Sequence, residues 1–234
     1  MSAQWKRDPA RNAALLRAGC PQLTHVALCL NDNADRKKNP DFYTFAPDSA
    51  IIDAVRAYRA HGFVVELFSW LLPAPAFVAA LNDRLRPLLQ NMLPEVARVQ
   101  LDCEESWSKG KGHDEAVDLL CLPVGVAVTT YAGLLPHASM RPLAARPNIS
   151  WIVQCYATST SKATPGAVQE YGAKMAHKYL PGRTWHMGLP AYRQTATSAR
   201  TQWDATVKLG CSEVWWWASS SLTSGVVPRL LAGL

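Results

Sequence analysis

Residues 96–105 read Val-Ala-Arg-Val-Gln-Leu-Asp-Cys-Glu-Glu, and the fold turns on how this stretch is read. Side chains along a strand alternate, so Arg98, Gln100, Asp102 and Glu104 share one side of a regular strand, and Val99 and Leu101 take the other. The apolar side belongs against covering helices, which leaves the polar side facing the inside of a barrel. Glu66 falls on a matching series with Phe68 and Trp70 in the run 63–70. Glu66 and Arg98 are therefore expected to pair inside, since burying either charge alone costs on the order of several kcal/mol.

Outward from this strand the same unit repeats. Apolar runs rich in Val, Ile, Leu and Trp recur at 24–31, 63–70, 96–102, 123–131, 149–156, 184–189 and 213–218, the mark of strands buried on both faces. Helical segments lie between most of them: 49–61 ending before Gly62, 74–92 after Pro73, 164–180 stopped by Pro181-Gly182, and 197–209 ending at Gly210. Strands alternating with helices imply parallel β-α units. Neither GxGxxG nor a phosphate-binding GxxxxGK[ST] follows the first strand, where Asn31-Asp32-Asn33 stands instead, and this disfavours an open dinucleotide-binding sheet. The expected architecture is an α/β fold, a (β/α) TIM-like barrel, irregular or incomplete in its eighth strand. Residues 1–234 form one domain in this reading. A helical leader at 1–22 contains an extra N-terminal helix over 8–18 that could plug the barrel bottom.

Composition narrows the partners. Hydrophobic residues make up 49% of the chain, enough for a full core, yet the longest apolar stretch, 67–72, is broken by Ser69 and falls far short of the ~20 residues of a membrane span. No apolar segment follows the charges of the first eight residues. A cleavable secretory signal is thus not expected, and synthesis is placed in the cytoplasm. The net charge of +6 suits an anionic polymer, including a bacterial cell wall. Its basic groups are scattered, the densest being Arg36-Lys37-Lys38 and Lys109-Gly110-Lys111, too short for a nucleic-acid site. Cys20, Cys29, Cys103, Cys121, Cys155 and Cys211 show neither CxxC nor zinc spacing, and the histidines show no ligand spacing. Reduced thiols and no metal are expected.

In such a barrel the chemistry sits at the carboxyl ends of the strands. These deliver Asn31 and Asp32, Ser69 and Trp70, Asp102, Glu104, Glu105 and Trp107, then Thr129, Thr130 and Tyr131, then Gln154 and Tyr156. His186 and Tyr192 follow from the sixth strand, Trp215, Trp217 and Ser219 from the last. Carboxylates, amides, hydroxyls and aromatic faces gathered on one rim make a carbohydrate-site inventory. The catalytic candidates are Glu104, Asp102, Asp32 and Glu105. The candidate substrate contacts are Tyr131, Gln154, Tyr156, His186, Trp70 and Trp217. Closeness of Asp102 and Glu104 disfavours ionising both together, so one of them can carry a proton for a glycosidic oxygen. Carboxyls two residues apart sit close for a pair that must flank the scissile bond at ~5–9.5 Å. Either Asp32 or Glu105 supplies the other side, or the substrate's N-acetyl group does, with Asp102 orienting it and Tyr156 bonded to it.

Val99-Gln100-Leu101-Asp102-Cys103-Glu104 resembles the strand-end D-x-E of glycoside hydrolase family 25 lysozymes, the muramidases of bacteria and their phages. Trp151-Ile152-Val153-Gln154-Cys155-Tyr156 is similar to that family's later strand. The resemblance implies an incomplete barrel that cleaves β-1,4 bonds of peptidoglycan without a cofactor, as an endolysin released to the wall by phage lysis would. Glu104 would be the proton donor, Asp102 its partner, and Asp32 a loose match to the family's early acid. The family's opening Asp-Val-Ser type signature is missing. Chitinase-like barrels share the strand-end D-x-E, but Gln100 stands where their preceding acid would be. The alternative is a barrel that binds saccharide without cleaving it.

Overall fold

A computed structural model of the chain describes residues 8–32, 44–109, 113–157, 164–191, 195–211 and 213–217, with the backbone alone for Asn31, Asp32, Thr44 and Ala196. Asn33, the Arg36-Lys37-Lys38 group, Gly110-Lys111, Tyr192 and Ser219 lie outside the described residues.

Seven parallel strands form one curled sheet in sequential order: β1 (His25–Cys29), β2 (Val64–Trp70), β3 (Arg98–Asp102), β4 (Gly125–Tyr131), β5 (Ile149–Gln154), β6 (Trp185–Pro190) and β7 (Val214–Trp217). Each run of β-branched and aromatic residues expected to be a strand is one. Among the described residues β1 and β7 do not pair, so the sheet is an incomplete (β/α) barrel. The rings of His25 and Trp215 meet edge-on at 6.1 Å, joining those two outer strands through side chains. A two-residue antiparallel ribbon, Asn31–Asp32 with Thr44–Phe45, stands above β1.

Helices α1 (Pro9–Gly19), α2 (Asp48–Ala60), α3 (Pro75–Asn91), α4 (Asp114–Leu119), α5 (Arg141–Ala145), α6 (Ala167–Tyr179) and α7 (Ala196–Lys208) clothe the sheet. Their ends follow local chemistry. Asp8 accepts the Arg11 amide at 3.1 Å with Pro9 at the first helical position. Thr195 and Ser198 cap α7 reciprocally, and Gly210 beyond its end takes φ +77°.

α1 is the extra N-terminal helix expected over 8–18. It packs beside α2, burying Ala13 and Leu16, while Arg17 donates to the carbonyls of His61, Pro21 and Leu23 and lies 4.0 Å over the Phe63 ring, so it meets the loops that precede β1 and β2.

The alternation read from 96–105 holds. Val65, Leu67, Val99, Leu101, Val128, Trp151, Val153, Met187 and Leu189 belong to the main buried cluster with Ile51, Val55, Val78, Leu81 and Leu85 of the helices. The other face points inward in tiers, as a packed interior and not a pore. In the lowest tier Arg98 reaches Glu66 at 2.6 Å and Glu213 at 2.5 Å, with Glu66 only 2% exposed. The expected Glu66–Arg98 pair is present, and Gln100 adds a 2.8 Å bond to Glu66. Above it Ala127, Ile152 and Trp215 pack with Ala27. The uppermost tier opens at the strand ends.

Candidate active site

The uppermost tier is built on Asp102, the last residue of β3, which is 4% exposed. Register places it beside Trp70 of β2 and Thr129 of β4. Its Oδ1 accepts from the Thr129 hydroxyl at 2.6 Å and from the Gln154 amide at 2.8 Å, and Gln154 also donates to Thr129 at 3.2 Å. Three strands thus converge on one carboxylate, which two charge-assisted bonds hold in orientation.

Strand pairing continues one residue further, with the Cys103 amide donating to Thr129 at 2.8 Å. Glu104 follows in extended backbone, φ −110° and ψ −152°. It is half-buried. The chain then turns into a short 3-10 helix, Glu105–Ser108, anchored by Trp107. That indole is fully buried, donates to Leu71 O at 2.7 Å and meets His113 edge-on, while Ser139 donates to the Trp107 carbonyl. Trp107 therefore ties the Glu104 turn to the end of β2 and is not part of the rim.

Burial and the nearby charges of Glu105 and Glu104 push the Tyr131 hydroxyl up, which places Tyr131, itself 36% exposed, within the field of both acids. Burial, with the charge of Asp102, likewise pushes the Cys103 thiol well up, leaving it an unreactive packing residue turned to the helices.

The remaining candidates divide. Gln154 joins the Asp102 cluster, Trp70 flanks it in register, and Tyr131 ends β4 within the field of Glu105 and Glu104. Trp217 packs edge-on to Phe68 at 4.9 Å, and its indole Nε1 lies where a Cβ on Gly188 would come within 2.8 Å. Gly188 thus leaves the notch in which Trp217 lies, and that Nε1 is buried with no hydrogen-bond partner among the described residues. Tyr156 follows β5 by two residues and is half-buried.

Two candidates differ in setting. Glu105 has a side chain 72% exposed and an ion pair with Lys109 at 3.5 Å, a solvated arrangement. His186 is the second residue of β6, not its end. It sits in the lowest tier, Nε2 3.6 Å from Glu213 Oε2. Burial and the Arg98 charge hold its imidazole below the usual range against the pull of Glu213, so the two do not form an ion pair at neutral pH. Reading the run as 184–189 placed His186 too near the rim because the strand begins only one residue before it. The Asp32 side chain lies outside what is described; its backbone is in the ribbon after β1.

Some supporting residues carry little sequence signal. Thr129 is legible from its register against Asp102. Glu213, which completes the Arg98 cluster, opens the run read as a strand over 213–218 and carries no further signal there. Gln169 and Gln202, both fully buried, sit in helices where Gln ordinarily faces water. Among the described residues no group of three or more His, Cys, Asp or Glu side chains could hold a metal ion, and no helix is long and apolar enough to cross a membrane.

No protein-family model matches the sequence, and no curated protein matches it. Solved structures do. The Bacillus cereus spore cortex-lytic enzyme SleL superposes with a TM-score of 0.64 at 11% identity, over 97% of this chain and 70% of that one. A mutant form of active domain 2 of the Pyrococcus furiosus thermostable chitinase gives 0.63 at 11% identity over 97% and 89%. An endoglucanase from Pseudomonas stutzeri gives 0.62 at 10% over 97% and 85%. The chain has the fold of the TIM-barrel glycosidases. This likeness of fold spans endoglucanase and chitinase alike and does not single out the family 25 lysozymes.

Proposed function

We propose that the protein is a glycoside hydrolase acting on an amino-sugar polymer with β-1,4 bonds, peptidoglycan being the favoured substrate in the manner of a muramidase or endolysin. One observation carries the reading: a buried Asp102, oriented by Thr129 and Gln154 at the carboxyl end of a barrel strand, with Glu104 two residues on in extended backbone. The folds it resembles include a chitinase and a spore cortex-lytic enzyme, which supports a polysaccharide substrate.

Glu104 is the proton donor in this scheme, protonating the glycosidic oxygen as the bond to the anomeric carbon breaks. Asp102 has one oxygen engaged by Thr129 and Gln154, which suits it to orienting and charge stabilisation. Two carboxyls on one strand approach from one side, and Glu105 is turned to solvent in its pair with Lys109. Of the two remaining alternatives, Asp32 and the substrate's own acetamido oxygen, the scheme takes the second: that oxygen attacks the anomeric carbon to give a cyclic oxazolinium. Water opens that ring after Glu104, now the base, removes its proton. Tyr156 bonds the acetamido group, Trp217, Trp70 and Tyr131 offer ring faces to the sugars, and Asp102 steadies the acetamido nitrogen.

Reducing-end release tests the reading. The protein is expected to release reducing ends from purified bacterial cell wall and from N-acetylated chitin oligomers, and none from cellulose, whose glucose units carry no acetamido group. Binding of these polymers with no release would replace hydrolysis by the saccharide-binding alternative. Neither binding nor release would contradict both.

A further inference from the structure

We infer that Gln169 of α6 and Gln202 of α7 are positioning residues that hold Tyr156 at the barrel mouth; the substrate part of this inference rests on the glycosidase reading above. β5 pairs with β6 only as far as Cys155, whose amide donates to Gly188 O at 2.8 Å. Beyond that point no strand among the described residues pairs with it. The two glutamines supply one. Gln202 accepts the Ala157 amide on Oε1 at 3.4 Å and donates from Nε2 to the Ala157 carbonyl at 3.2 Å, as a paired strand residue would. Gln169 Nε2 donates to the Cys155 carbonyl at 3.0 Å and to Gln202 Oε1 at 3.1 Å, and Gln169 Oε1 accepts the Gly166 amide at 2.7 Å. The backbone is therefore clamped on both sides of Tyr156.

Packing explains why the clamp reaches. Gly172 lies so close to β5 that a Cβ there would stand 2.1 Å from Cys155 Sγ, so α6 comes in near enough for Gln169 to touch the strand end. Cys155 and Ala157 are buried, with Cys155 turned to α6, which leaves the intervening Tyr156 on the side of the mouth. Both glutamines are themselves fully buried. Buried amides are retained where every bond is made, because a half-satisfied network costs more than an apolar one. Here the bonds run to the backbone that carries a rim residue.

Hydrogen exchange in the wild-type protein reads the clamp directly. The Ala157 amide lies outside every helix and strand, yet it is expected to exchange at least about a hundredfold more slowly than an exposed amide. Fast exchange at Ala157 overturns the clamp and leaves the glycosidase reading untouched. Gln202→Met and Gln169→Met keep the length and remove the bonds; if one fails to fold, the other carries the test. Well below the melting temperature of each variant, exchange at Ala157 should quicken and affinity for an N-acetylated chitin tetramer should fall about tenfold. Tyr156→Phe added to Gln202→Met should cost less than about a further twofold, because the two changes remove one interaction. Unchanged affinity despite an exposed Ala157 amide, or fully additive losses, would show the glutamines to be structural only and overturn the positioning role. A wild-type protein that binds no N-acetylated oligomer contradicts the glycosidase reading and removes the substrate from the inference, while exchange at Ala157 still decides the clamp.

Discussion

At the residue scale, the lowest tier of the barrel concentrates opposing electrostatic demands. Burial drives the Glu66 carboxyl upward against the Arg98 and Gln100 bonds that favour its charge. Burial also drives His186 and His25 downward, with Arg98 adding to it and Glu213 opposing. Glu213 itself is lowered: burial pushes it up, but the Trp215 indole bond and Arg98 outweigh that. A His whose folded value lies below its unfolded 6.5 binds fewer protons when folded, so its penalty is absent above about pH 6.5 and grows as pH falls below it. Glu66, raised, acts the other way: stability is lost as pH rises from its unfolded 4.5 through the raised value. His186→Phe keeps a ring of similar shape among Glu66, Arg98, Glu213 and His25 and removes one titration. Thermal melts across pH 5 to 8 are expected to show a shallower fall on the acid side in the variant than in the wild type. Identical acid limbs would mean that His186 binds protons equally in the folded and unfolded states.

Elements meet their neighbours through a few close approaches, and α6 on β5 is the tightest. Helix propensity alone says that replacing Gly172 by Ala in the middle of α6 stabilises by about 1 kcal/mol. The Cys155 sulfur occupies the space that the new methyl would need. Gly172→Ala should therefore destabilise, by about 1–3 kcal/mol as overpacking does, read from the urea midpoint at unchanged slope. A variant as stable as the wild type would mean that α6 stands further from the sheet. The periodic signals that announced α6 placed its end well but could not show this contact, since a glycine inside a helical pattern reads as a weakness and not as an approach. The same holds for Trp107, whose sequence neighbours suggest a rim aromatic while its indole is consumed by Leu71 O. Contacts between elements distant in sequence decide both.

For the whole molecule, the parallel barrel was legible because most strands are buried on both faces and the helices read as 49–61, 164–180 and 197–209 stop at a Gly or Pro. Helices read as 49–61, 74–92 and 197–209 appear as Asp48–Ala60, Pro75–Asn91 and Ala196–Lys208. The inward charge pair was legible from parity alone. The docking of α1 was not, because an amphipathic helix carries no record of which neighbour it meets. At the rim, Asp102, Gln154 and Tyr131 were readable as strand ends, whereas the solvated side chain of Glu105 and the place of His186 near the start of β6 were not. The buried glutamines carried no signal at all. What joins these scales is the claim that Glu104, beside an oriented Asp102, donates the proton that breaks a glycosidic bond. Its most direct test is reducing-end release from purified cell wall by Glu104→Gln beside the wild type, with the melting temperature of both recorded. The account predicts a folded variant with the wild-type melting temperature within about 2–4 °C and activity reduced at least about a hundredfold. A folded Glu104→Gln that still releases reducing ends at the wild-type rate would contradict it.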